Sequence, residues 1–192
     1  GANFRKNGLL ADADRSMLKL GYFNWDISDY VGRQWTEYRS GVFGMLITNI
    51  DRARFSGLEL SGRYEYKGLT ADLAANYYLN VEFCPTPGTC YAESLYSDYA
   101  TNHVPPEYSV SLTLSQKLLD DKLTVGGRVS YMGPRAIPHG QATALGLSSF
   151  INQILWEPYT LVDLFAEYKL NENLTAHVRV ENLTDQFYVD PL

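Results

Sequence analysis

Few residues in this chain have the type and spacing that chemistry needs. The two cysteines, Cys84 and Cys90, sit in Cys-Pro-Thr-Pro-Gly-Thr-Cys. That spacing is not the Cys-x-x-Cys of redox or zinc sites, and no paired His-Cys set accompanies it. A local disulfide that staples a loop fits better, and it belongs in an oxidising compartment. A haem-binding Cys-Pro reading of Cys84-Pro85 is the alternative. The three histidines are His103, at the end of the cysteine loop, His139 in Pro-Arg-Ala-Ile-Pro-His-Gly, and His177 in an alternating run. By residue type alone the first two are solvated loop histidines and the third is a hydrogen-bonding strand position. The adjacent carboxylates Asp120 and Asp121 fall in a turn. Nowhere do a nucleophile, a base and an orienting group come together, so no metal centre and no catalytic site is expected, and the chain reads as something other than an enzyme.

The elements that would carry these residues are strands. From Glu107 to Leu118, Tyr108, Val110, Leu112 and Leu114 alternate with Ser109, Ser111, Thr113 and Ser115, and polar Gln116 interrupts the apolar row. Leu123, Val125, Val129 and Tyr131 alternate with Thr124, Arg128 and Ser130 across a short turn at Asp120-Asp121. A period of two over this length means a strand with one apolar and one polar face. The same pattern recurs at 70–83, 159–170 and 174–183, from Leu58 onward in one long extended segment at 45–66, and in an imperfect, aromatic version at 18–31. About seven strands are therefore expected. Residues 1–16 read as an irregular turn region and 32–44 as a connecting loop. In the strand at 70–83, Leu79, Val81 and Phe83 are expected on the apolar row and Glu82 on the polar one. Long loops are expected at 84–104 and 133–158, and short turns at Lys67-Gly68, Asp120-Asp121 and Asn171-Glu172-Asn173.

Which face meets water is not decided by alternation, because a β-sandwich would show the same rows. Three features favour an antiparallel transmembrane barrel. The strands exceed the usual five or six residues. Tyrosines (Tyr66, Tyr108, Tyr131, Tyr159) close the apolar rows, as in an interfacial girdle. Long loops collect at one end and short turns at the other. Of the 192 residues 14% are aromatic, with 15 Tyr against 8 Phe. A net charge of -6 excludes a nucleic-acid partner, which needs a basic footprint. The mean hydropathy of -0.23 describes a water-soluble average, but alternating barrel strands also average to near neutrality.

Two segments carry a family resemblance: Ile50-Asp-Arg-Ala-Arg-Phe-Ser-Gly-Leu-Glu-Leu60 and Val180-Glu-Asn-Leu-Thr-Asp-Gln-Phe-Tyr-Val-Asp-Pro-Leu192. Both resemble TonB-dependent outer-membrane receptors, and the ending is most similar to the branch that takes haem from haemoglobin or a haemophore. The resemblance implies an all-β, antiparallel transmembrane barrel segment, with residues 1–192 as the C-terminal portion of a barrel of roughly twenty-two strands. The plug domain and last strand are then absent. It implies uptake of an iron-bearing ligand at the bacterial outer membrane, with haem as the transported ligand of the whole receptor and no cofactor held by this segment. A ferric siderophore is the alternative ligand. The implied partners are outer-membrane lipid, TonB acting through the plug, and a haem-carrying protein such as a haemophore or haemoglobin. With haem as ligand, His103 and His139 on outer loops become the candidate ligand-binding residues. The row Tyr108, Val110, Leu112, Leu114 is then expected to face lipid, and Ser109, Ser111, Thr113 and Arg128 a plugged lumen.

Overall fold

The computed structural model describes residues 1–91, 104–136 and 157–188. They form one antiparallel sheet of nine strands: β1 (Ala2–Asn7), β2 (Arg15–Arg39), β3 (Val42–Tyr66), β4 (Leu69–Thr86), β5 (Thr89–Tyr91), β6 (Tyr108–Leu118), β7 (Leu123–Met132), β8 (Tyr159–Asn171) and β9 (Leu174–Val180). Their order is β1-β2-β3-β4-β6-β7-β8-β9, with β5 hairpinned onto β4. Neighbours in sequence are neighbours in space, an up-and-down meander. The candidate ligand residues His103 and His139 lie outside the described residues.

The sheet has two strands beyond the seven expected, β1 and β5 (the latter inside the expected loop at 84–104), and β2 and β3 run longer than expected. Residues 1–16 are not an irregular turn region, because Ala2–Asn7 pairs with β2, placing Phe4 opposite Leu18 and Arg5 opposite Met17. Six mostly polar residues are too few for a period to show. Likewise 32–44 is not a loop. β2 and β3 stay paired, with one register shift between Glu37 and Arg39, up to the turn at Ser40-Gly41, where Gly41 takes φ +75°, a left-handed conformation that suits glycine. Each of these strands has 25 residues, about 80 Å at roughly 3.3 Å per residue, far more than a bilayer needs. Past the lipid there is no reason for apolar alternation, so the sequence there does not look like a strand.

The turns that follow β1, β3, β6 and β8 lie at one end, opposite the Ser40-Gly41 turn. Lys67 and Gly68 both have positive φ, the geometry that matches strand twist in a two-residue hairpin. Gln116, the polar break in the apolar row of β6, donates to the Lys67 carbonyl at 3.1 Å and so closes this turn from the neighbouring strand. At the β1–β2 turn, the carboxylate of Asp14 accepts from the backbone N–H groups of Leu9 (2.8 Å), Leu10 (2.8 Å) and Ala11 (2.9 Å).

Candidate functional site

The two faces of the sheet differ chemically, and the register shows how continuously. Phe4, Leu18, Gly62, Leu73, Leu112, Val129 and Val162 form one rung across seven strands with no polar side chain. Leu20, Leu60, Ala75, Val110 and Tyr131 make the next. Val110, Leu112 and Leu114 are 39%, 37% and 46% exposed, whereas Ser109, Ser111 and Thr113 on the opposite face are partly shielded. The sheet therefore curves around its polar face, and among the described residues no second layer covers the apolar one. A β-sandwich buries that row, so the sandwich alternative fails. On the apolar face Tyr22, Leu58, Tyr77 and Tyr108 share a rung, and the Tyr108 and Tyr131 rings stack at 5.8 Å. From Tyr108 to Leu118 is about 33 Å of strand, or about 25 Å of height at the ~40° tilt of membrane barrels, the thickness of their apolar band. A cation placed at Leu112 would cost about 2–4 kcal/mol at the bilayer midplane.

The concave face carries a lattice of small polar contacts. Arg63 meets Glu65 at 2.9 Å and Asp72 at 3.5 Å. Arg128 donates to Ser130 at 2.9 Å and Ser111 at 3.2 Å. Arg179 sits 3.6 Å from Asp163, and His177 lies 3.5 Å from Glu167. Each such half-exposed pair is worth at most about 1 kcal/mol, so the lattice is a wetted contact surface rather than a stabilising core. Asp120 and Asp121 lie in the tight turn after β6, where Asp121 comes 4.0 Å from Lys117.

Above the tyrosine rung the faces exchange character. Ser56 pairs with Asn80 but Gly57 with Tyr78, so Leu79 is an extra residue in β4. This bulge reverses the parity beyond it. Val81 and Phe83, expected on the apolar outer row, instead pair with Phe55 and Ala53 on the concave side. Glu82, expected inside, faces outward, where Arg54 joins it at 3.0 Å and Asp26 at 3.4 Å. On the concave side Ile50, Ala53, Phe55, Val81, Phe83 and Val104 form a buried cluster, with Phe23, Tyr30, Tyr78 and Ala136 against it.

Val104 enters this cluster from a ribbon that extends β6 and β7 upward. Ala136 N–H donates to Pro105 O at 3.0 Å, Glu107 N–H to Pro134 O at 2.7 Å, and Tyr78 N–H to Glu107 O at 2.7 Å. The ribbon lies over the concave face of β3–β4, so the roots of two long connections meet above the lumenal wall. Beside it, Cys84 and Cys90 are joined by a disulfide across the β4–β5 hairpin. The sequence reading missed this cluster. Its one legible trace is in β2, where the apolar parity passes from Leu18, Leu20 and Tyr22 to Phe23, Trp25 and Ile27.

Comparison with known proteins gives a consistent family. The family model "TonB dependent receptor-like, beta-barrel" matches residues 2–183. The chain is 26% identical over 77% of its length to the hemophilin receptor of Acinetobacter baumannii, covering 17% of that protein. It is 25% identical over 97% of its length to heme/hemopexin utilization protein C of Haemophilus influenzae, covering 25% of it. Among solved structures it resembles the Serratia marcescens hemophore receptor HasR in complex with its hemophore HasA and heme, at TM-score 0.62 and 25% identity, over 97% of this chain and 27% of that one. The chain thus spans a quarter or less of the curated relatives it matches.

Proposed function

We propose that this chain, which belongs to the TonB-dependent receptor β-barrel family, is part of the wall and outer loops of a receptor that carries haem across the outer membrane. The membrane placement follows from the family and from the convex apolar band. The haem assignment rests on one observation: the relatives that align along most of the chain at 25–26% identity are named as receptors or utilization proteins for haem or its carriers. TonB would act through the plug of the whole receptor, and a haem-carrying protein would dock on the outer loops.

His103 and His139 are the proposed iron-facing residues. Their support is the placement of the described chain beside them. Val104 follows His103 directly, Ala136 precedes His139 by three positions, and the two roots are tied by the bond from Ala136 N–H to Pro105 O. Neutral imidazole is a standard axial ligand for haem iron. The test is a haem titration of the full-length receptor in detergent. A Soret shift in the wild type that weakens in His103→Ala and His139→Ala is expected. A receptor that gives no Soret shift but binds a ferric siderophore overturns the haem assignment.

A further inference from the structure

We infer that the convex wall carries a site for a single phospholipid of the periplasmic leaflet, with one acyl chain laid in a notch over Gly62 and Ala71 and the phosphate held at Lys67. The inference goes beyond the haem reading and does not depend on it.

The notch comes from two small residues in an otherwise bulky surface. Gly62 and Ala71 occupy lipid-facing positions on adjacent strands, one rung apart, in the same parity as Leu18, Leu73 and Leu112. These three leucines stand around the shallow depression that results, about 320 Å³ in volume, and Leu10 closes its lower side. The turn that bears Leu10 is fixed. Asp14 accepts from the Leu10 and Ala11 N–H groups at 2.8 and 2.9 Å and bonds to the hydroxyl of lipid-facing Tyr64. The floor is enclosed by described strands on both sides, since Gly62 in β3 lies between β2 and β4, and Ala71 in β4 between β3 and β6. Lipid tails are as apolar as leucine, so a smooth wall selects no particular chain. A concavity about as wide as a chain gains dispersion contacts along its sides as well as its floor.

Charge places the head. Lys67 sits in the turn after β3 with its ammonium 5.1 Å from the centroid of the Tyr66 ring, and Tyr66 is the lipid-facing residue next to that turn. The carboxylates around the turn are already engaged: Glu65 by Arg63 at 2.9 Å, Asp121 by Lys117 at 4.0 Å, and Asp14 by backbone N–H groups. Lys67 makes no ion pair with any described residue. In membrane barrels such short turns face the periplasm, at the level of the headgroups of that leaflet. From Gly62 to Lys67 is about 16 Å of strand, or about 13 Å of height at ~40° tilt, half of the ~25 Å apolar band. A lipid with its phosphate at Lys67 therefore reaches the notch with the far half of its chain.

Native mass spectrometry of the full-length receptor in detergent tests the site, with dioleoylphosphatidylglycerol and, as a probe without phosphate, dioleoylglycerol. Wild type is expected to take up one phosphatidylglycerol saturably. Lys67→Gln should weaken it about fivefold and leave dioleoylglycerol unchanged. Ala71→Leu fills the notch and should weaken both probes about fivefold. Ala75→Leu adds the same bulk two rungs higher on the same strand and face, outside the notch, and should bind both within twofold of wild type. Heat-modifiable gel mobility checks that each variant folds. Gly62→Leu stands in for Ala71→Leu if the latter does not, because its Cβ would meet nothing closer than the Leu18 Cδ1 at 3.3 Å. Equal weakening by Ala71→Leu and Ala75→Leu, or uptake that does not saturate at one lipid, means ordinary boundary lipid and overturns the site. So does a Lys67→Gln or Ala71→Leu receptor that binds phosphatidylglycerol within twofold of wild type.

Discussion

Two glycines on the concave face show how closely this wall is fitted at the scale of single residues. At Gly126 an added Cβ would lie 2.6 Å from the Leu114 carbonyl oxygen and collide with the Phe165 ring; at Gly57 it would collide with Tyr77 O and Phe23. Backbone oxygens in a ladder cannot retreat, so Gly57→Ala and Gly126→Ala should each destabilise by about 1–3 kcal/mol. Gly21→Ala, whose Cβ would meet nothing closer than 3.8 Å, should leave the unfolding temperature unchanged. Thermal unfolding of the three receptor variants checks this. Asp14 supplies a pH test outside the membrane span. Burial raises its pKa, but the N–H groups of Leu10, Leu9 and Ala11 and a hydrogen bond with Tyr64 outweigh it and hold the carboxyl below its usual range. A carboxylate depressed on folding contributes stability that is present above its unfolded pKa and lost as pH falls through the folded value. Asp14→Asn should therefore lower stability at neutral pH and flatten the loss of stability below about pH 4, read from unfolding temperature against pH.

At the scale of elements, the ribbon of 104–107 and 133–136 governs where the outer connections start. Val104 is 2% exposed in the cluster beneath it. Val104→Asp puts an unpaired carboxylate there and should release the ribbon. Haem binding should fall at least tenfold while the barrel keeps its heat-modifiable gel mobility, because the lipid-facing ladder does not include Val104. This element also marks the limit of what the sequence shows. β4, β6, β7, β8 and the lower half of β3 were legible because lipid on one side and water on the other enforce a strict alternation. Where that constraint ends, at the tips of β2 and β3 and in β1, the strands persist but the pattern does not. The Leu79 bulge carries no local signature, so counting by twos sent Val81 and Phe83 to the wrong face. The aromatic cluster stayed hidden for the same reason. His103 and His139 were singled out by residue type and resemblance, and of the site around them only the adjoining roots are described.

At the scale of the molecule, the chain is one curved wall with lipid on its convex side and a polar lumen on its concave side, and it spans a quarter or less of the curated relatives compared above. The outward charges Asp26, Arg54 and Glu82 above Tyr22, and the inward aromatic cluster at the same height, fit a wall that leaves the bilayer and becomes the side of a vestibule. The sidedness of the wall underlies every functional statement made of it, and it is directly measurable. In the full-length receptor in outer-membrane vesicles, an environment-sensitive fluorophore is attached at Leu112→Cys or at Ser111→Cys, and quenching by nitroxide-bearing lipid is recorded. The label at 112 should be quenched strongly and the label at 111, one residue away on the same strand, hardly at all. Equal quenching at the two positions, or stronger quenching at 111, would contradict the account.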